Sequence, residues 1–237
     1  MGCDIHAAIE FRNSTGKWEA VSFPNRYFGK WDDEPEKTYR LDMNRNYDVF
    51  AILANVRNGS GFAGCDTGDG FEPMTDGRGL PDDISFEARE SGCTGEHSET
   101  WCSLTEILAY DWTRKTKLRG WINAVEFEKW NRMKEWNPWP ESWCGGISGG
   151  DVVHVSAQEM EHIVKEVVGT SKHFGGDYTA AIERLTKEYG GHYCLIEWEV
   201  GYMDCAKDFW VSVMPTMLKL GVEYGTDNVR LVMNFDS

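Results

Sequence analysis

The chain has no Cys-x-x-Cys pair; its seven cysteines (3, 65, 93, 102, 144, 194 and 205) are scattered and odd in number. Neither a disulfide framework nor a paired zinc knuckle is written in that spacing, so reduced thiols in a cytoplasmic protein are expected. No apolar run approaches the roughly 18 residues of a membrane helix. No charged-then-apolar leader opens the chain either, because a polar strand begins at once. Met1-Gly2-Cys3 lacks the Ser or Thr of an acylation signal, with His6 in that place. Basic residues are short: 24 Lys and Arg stand against 39 Asp and Glu, a net charge of −15. Contact with a nucleic-acid backbone asks for a basic footprint and is not expected here. The same acidity keeps a protein soluble, and it would also suit an inhibitor that covers a basic partner protein. Internal repeats and low-complexity tracts are absent.

What remains is a chain able to bury a proper core. It has 237 residues, 41% of them hydrophobic and 13% aromatic, with eleven tryptophans, which argues against global disorder. The first strand, Cys3 to Arg12, alternates. Cys3, Ile5, Ala7, Ile9 and Phe11 make an apolar face, and Asp4, His6, Ala8, Glu10 and Arg12 make the other. Asn13-Ser14-Thr15-Gly16 turns the chain into a hairpin that returns through Lys17 to Phe23. A buried helix is expected over Val49–Val56, capped by Asp48, followed by a Gly-, Asp- and Pro-rich loop region over 58–99. Ser85–Glu90 reads as a short helical turn. Ser103 with Glu106, and Ser156 with Glu159, read as capping boxes.

Further helices are expected over Trp121–Trp136, Asp177–Tyr189 and most of Tyr193–Leu220, with strands at Val152–Val155 and Val229–Asp236. These elements make one α+β domain, 1–237. Its mixed or antiparallel sheet includes the N-terminal hairpin and the C-terminal strand, packed with several helices.

Three constellations could carry chemistry. Asp4 and His6, with Glu10 farther along, offer oxygen and nitrogen donors that suit Zn, Mn or Fe, and His6 is a natural general base. The same residues would serve as an ordinary solvated strand face. In Gly77-Arg78-Gly79-Leu80-Pro81-Asp82-Asp83, two glycines let backbone approach a ligand while Arg78 clamps an anion and Asp82 or Asp83 meets a metal. A plain Pro-Asp turn, with Asp83 or Ser85 capping the helix that follows, reads equally well. His97-Ser98-Glu99-Thr100-Trp101 is placed at a helix N-terminus, where free N–H groups attract anions and Trp101 offers a stacking face. A capping sequence with one exposed histidine is the plainer reading.

Lower in rank are a calcium-like run at Asp66–Glu72, which lacks the twelve-residue pattern, and a Cys93/His97/Cys102 zinc set without a fourth ligand. The tryptophans at 121, 130, 136, 139 and 143 suit core or interface, or in part a groove for a base or sugar.

The segments Gly2–His6, Tyr47–Arg57, Arg78–Asp83, His97–Trp101 and Val229–Asp236 together resemble a family of uncharacterised phage and prophage proteins. The resemblance spans nearly the whole chain as separated motifs. It implies a phage-encoded accessory protein of the host cytoplasm and brings no activity with it.

The expected function is therefore a polar pocket of this kind, possible in two forms. In the first, Asp4, His6, Asp82 and His97 bind a divalent metal, and His6, His97 and Asp83 share acid–base work in hydrolysis of a phosphoester or nucleotide. Arg78, Ser98, Trp101 and Glu10 then hold the ligand. In the second, the same groups sequester an anionic, nucleotide-like signal without turnover. A host protein is a further candidate partner.

Overall fold

The computed structural model describes residues 3–30, 35–41, 43–57, 61–62, 65–66, 71–92, 97–169 and 176–236. In chain order the strands are β1 (Ile5–Arg12), β2 (Trp18–Ala20), β3 (Phe23–Pro24), β4 (Lys37–Thr38), β5 (Gly61–Phe62), β6 (Cys65–Asp66), β7 (His97–Ser103), β8 (Lys115–Asn123), β9 (Val153–His154), β10 (His192–Gly201) and β11 (Val229–Phe235). The helices are α1 (Tyr47–Ala54), α2 (Phe86–Glu90), α3 (Leu104–Ala109), α4 (Ala124–Met133), α5 (Ala157–Val168), α6 (Gly176–Tyr189), α7 (Tyr202–Cys205), α8 (Lys207–Ser212) and α9 (Met214–Tyr224). The class is α+β, and the described residues fall into two compact units.

The first unit is built on a four-stranded antiparallel sheet in the order β2-β1-β11-β7. The C-terminal strand thus lies between the first strand and β7. Register pairs Ile5 with Phe235, His6 with Asn234, Ala8 with Val232 and Glu10 with Arg230. Paired residues share a face, so Ile5, Ala7 and Ile9 meet Phe235, Met233 and Leu231 in one wholly buried layer. That layer is closed by α1 and α9: Phe50 packs edge-on against Phe235 at 5.2 Å, and Phe11 lies 4.8 Å from Tyr224. The opposite face is covered too, since Ala88 of α2 packs on Ala8 with Ala20 and Ile84 around them. Two small residues allow that close approach of helix to strand.

Local signals act where expected in α2, α3 and α5, whose Ser85, Ser103 and Ser156 caps are all formed. In α1 the cap is Asn46, not Asp48: the Asn46 side chain accepts from the N–H groups of Asp48 and Val49. Asp48 instead sits in the first turn, where burial pushes its carboxyl up to about 6.

The second unit holds the sheet β8-β10-β9, in which β10 and β9 are parallel, and the helices α4, α5 and α6. Here two helical expectations are corrected. His192–Gly201 is a strand, because Cys194, Ile196, Trp198 and Val200 alternate inward against exposed Leu195, Glu197 and Glu199. Trp121–Asn123 likewise end β8, and α4 begins only where Asn123 caps it by accepting from Glu126 N–H. Trp121 stacks on His154 at 4.4 Å and Trp143 lies against Trp198 at 5.3 Å, so these tryptophans pack within the unit. Trp136 remains 85% exposed.

Candidate functional site

Arg230 is the hub of the first unit's polar face. It stands in β11, whose only other polar residue is Asn234, opposite Glu10, and both Arg230 and Glu10 are buried. The Arg230 Nε donates to Glu10 Oε2 at 2.7 Å, and the second Glu10 oxygen accepts from Ser85 N–H at 2.7 Å. Arg230 Nη1 donates to Asp83 Oδ1 at 2.7 Å, while Trp18 Nε1 donates to Asp83 Oδ2 at 2.8 Å. The Trp18 ring lies 3.8 Å from the guanidinium carbon, a stacked cation–π contact. Burial pushes the Asp83 carboxyl up, but the hydrogen bond and charge of Arg230 outweigh it and hold Asp83 below the usual carboxylate range. Breaking such a buried pair by removing one partner leaves an uncompensated charge, so Glu10 acts first as a structural anchor.

Outside this hub lies a cleft of about 580 Å³, lined by Trp18, Arg12, Arg78, Leu80 to Asp83, Trp101, Ser103, Asp227 and Arg230. The Gly-Arg-Gly turn is built as its glycines suggest, with φ of 64° at Gly77 and 78° at Gly79, a region side chains avoid. Gly79 N–H donates to Glu99 O at 2.9 Å, tying the loop to β7. Arg78 then lies over Trp101, 4.9 Å from the ring centre, and pairs with Glu106 at 2.8 Å. Burial raises the Glu106 carboxyl, yet hydrogen bonds from Ser103 and Arg78 more than compensate, leaving it lowered. Three guanidinium groups and three aspartates thus share one aromatic-walled cleft.

The other expected residues stand elsewhere. Asp4 is held by Arg45 through two hydrogen bonds of 2.7 and 2.8 Å, with both side chains about half exposed. His6 Nε2 lies 3.0 Å from Asp236 Oδ2. Four residues of strand separate His6 from Glu10, roughly 13 Å.

His97 meets Phe235 on the sheet's other face, its Nδ1 2.9 Å from Ser98 Oγ. The segment His97–Trp101 is strand, not the start of a helix, which corrects the anion site expected there. Its backbone is committed to the ladder with β11, and α3 starts only after Ser103. Asp4, His6, Asp82 and His97 are therefore not gathered around one point. Among the described residues no three His, Cys, Asp or Glu side chains form a metal-holding group. Cys93 lies outside the described residues, and so does most of the calcium-like run.

Trp18, Arg12, Arg230, Asn234, Asp236 and Glu106 were not singled out for chemistry from the sequence. One signal was there to find: Arg230 and Asn234 are the polar residues of Val229–Phe235, and a spacing of four puts both on one face. Comparisons with protein-family models, curated proteins and solved structures gave no match. No helix among the described residues is long and apolar enough to cross a membrane.

Proposed function

We propose that the cleft binds an anionic, ring-bearing small molecule of the nucleotide class and retains it without turnover. The observation that carries this reading is Arg78, seated on Trp101 and paired with Glu106 through a partly exposed, exchangeable contact. Such pairs contribute about 0–1 kcal/mol, so a phosphate can take the place of Glu106 at little cost. A base can then stack on an indole, while Asp82 or Asp227 accepts from sugar hydroxyl or base amino groups. Of the residues expected to do acid–base work, Asp83 alone lines the cleft, and it is already engaged by Arg230 and Trp18. That favours retention over hydrolysis. The resemblance to phage proteins fits the same role, the capture of a nucleotide-like signal in a host cytoplasm.

The test is calorimetric titration with mononucleotides, dinucleotides and cyclic dinucleotides, with and without Mg²⁺, followed by chromatography of the recovered ligand. Binding that weakens tenfold or more in Arg78→Ala and in Trp101→Ala, with the ligand recovered intact, is the expected result. Stacking losses of about 1–3 kcal/mol per base set that scale. Absence of binding, or equal affinity in both variants, would remove the cleft as the site. A ligand recovered cleaved would restore the hydrolase.

A further inference from the structure

The short strands β3 and β4 form a ribbon of their own, pairing Phe23 with Thr38 and Pro24 with Lys37. Leu41 N–H donates to Ala7 O at 2.7 Å and ties the ribbon to β1. Together with Ile5 and Ser212 the ribbon lines a second cleft of about 600 Å³, a size that suits a small molecule. Phe23, Leu41 and Met43 give it an apolar wall. No aspartate or glutamate stands among the described residues that line it, in a chain whose net charge is −15. The polar groups there have protons to give. The guanidinium of Arg40 makes no hydrogen bond or ion pair among the described residues; only its backbone N–H is engaged, by Thr38 Oγ1 at 3.1 Å. Asp236 feels the charge of Arg40, but its two oxygens are already held by His6 and by the Asp4 N–H. Arg26 lies over the Tyr27 ring at 4.8 Å and donates to the Tyr27 hydroxyl at 2.7 Å, which leaves that hydroxyl its own proton to donate. Lys30, 5.5 Å from the same ring centre, adds positive charge.

We infer that this cleft binds an organic carboxylate with an apolar body, its head on Arg40 and its body against Phe23, Leu41 and Met43. One unpaired guanidinium matches one carboxylate through two parallel N–H···O bonds. A phosphate monoester brings nearly two charges, and Arg26, the second guanidinium in the cleft, is already engaged with Tyr27. A cation or a sugar asks for acceptors, and no carboxylate lines the cleft to supply them. The apolar wall rewards the body of the ligand, since each methylene buried there tightens binding about fourfold. This cleft shares no lining residue with the one that holds Arg78 and Trp101, so the site does not depend on the nucleotide reading.

Simple amphiphiles separate head from body. The full chain is titrated calorimetrically with butyrate, octanoate, 1-octanol and octyl phosphate. Octanoate should bind at least tenfold tighter than butyrate or 1-octanol, and tighter than octyl phosphate. Arg40→Ala should weaken octanoate tenfold or more. Lys37→Ala removes a charge from the same ribbon outside the cleft and should leave the affinity within twofold. Arg40 is exposed, so its variants should fold; if Arg40→Ala does not, Arg40→Gln decides, because it keeps length and removes charge. No binding, equal affinity for octanoate and 1-octanol, tighter binding of octyl phosphate, or an equal loss in Lys37→Ala would overturn the inference.

Discussion

Two ends of one sheet face, four residues apart on both β1 and β11, meet opposite fates. At the Glu10–Arg230 end, buried charge is satisfied by Ser85 N–H, Asp83 and the Trp18 ring. At the His6–Asn234 end, Asp236 holds one ring nitrogen, and three buried polar atoms have no partner. Strand and register are common to both, so the difference comes from what covers them. The 81–85 turn brings a backbone donor and a carboxylate onto Arg230 and Glu10, and its reach ends at Ala8, where Ala88 packs. A polar pair under a matching loop becomes a structural anchor; at the other end Asn234 is just as buried, but no donor or carboxylate reaches its amide.

The largest effect should follow from breaking the satisfied end. Arg230→Ala leaves Glu10 buried without its counter-charge and should cost about 3–5 kcal/mol in urea unfolding. A loss below about 1 kcal/mol would mean that the anchor is not buried in solution. Next comes a half-buried carboxyl in the first turn of α1, outside both ends and in contact with Cys205. The folded value of about 6 for Asp48 is raised above its ordinary 3.8 by burial, so the folded state favours the protonated form. Stability from this group is therefore full below pH 4 and lost as pH rises to about 6, by at most about 3 kcal/mol. Asp48→Asn should flatten that slope, and an unchanged pH profile would contradict the burial.

Smaller in size and opposite in sign is the change expected at the unsatisfied end. Asn234→Leu removes two unpaired atoms while keeping bulk, so ligand-free stability should hold or rise by about 1 kcal/mol. A loss of several kcal/mol would show that Asn234 is satisfied after all. The smallest effect belongs to Arg78→Ala, which breaks a partly exposed pair and should change stability by less than about 1 kcal/mol while weakening nucleotide binding. A large loss of stability there would make Arg78 part of the anchor.

Legibility followed the range of the physics. The Ser103 and Ser156 boxes and the Ser85 cap were readable because each joins groups three residues apart. Asp48 was a reasonable cap by type, but Asn46 lies nearer the start of α1 and its side chain reaches the free N–H groups first. His97–Trp101 was placed at a helix N-terminus and Tyr193–Leu220 was read as mostly helical, although Thr100 and Cys102, and Cys194 through Val200, alternate in and out with period two. What made them strands was the presence of partners, β11 for one and β8 with β9 for the other. Gly77, Arg78 and Gly79 were legible as a ligand-facing turn by their chemistry, whereas Trp101 facing Arg78 depended on β7 lying beside that turn.

The sequence by itself determined the α+β class, the first hairpin, the capped helix starts and the acidic balance, because these depend on composition or on neighbours within a turn. Only the tertiary structure decided that Arg230 answers Glu10 across 220 positions, that His97 faces away from His6, and that Asn234 comes to rest beside His6 unpaired. The reason is strand pairing: register sets which distant side chains share a face, and no local propensity encodes the partner.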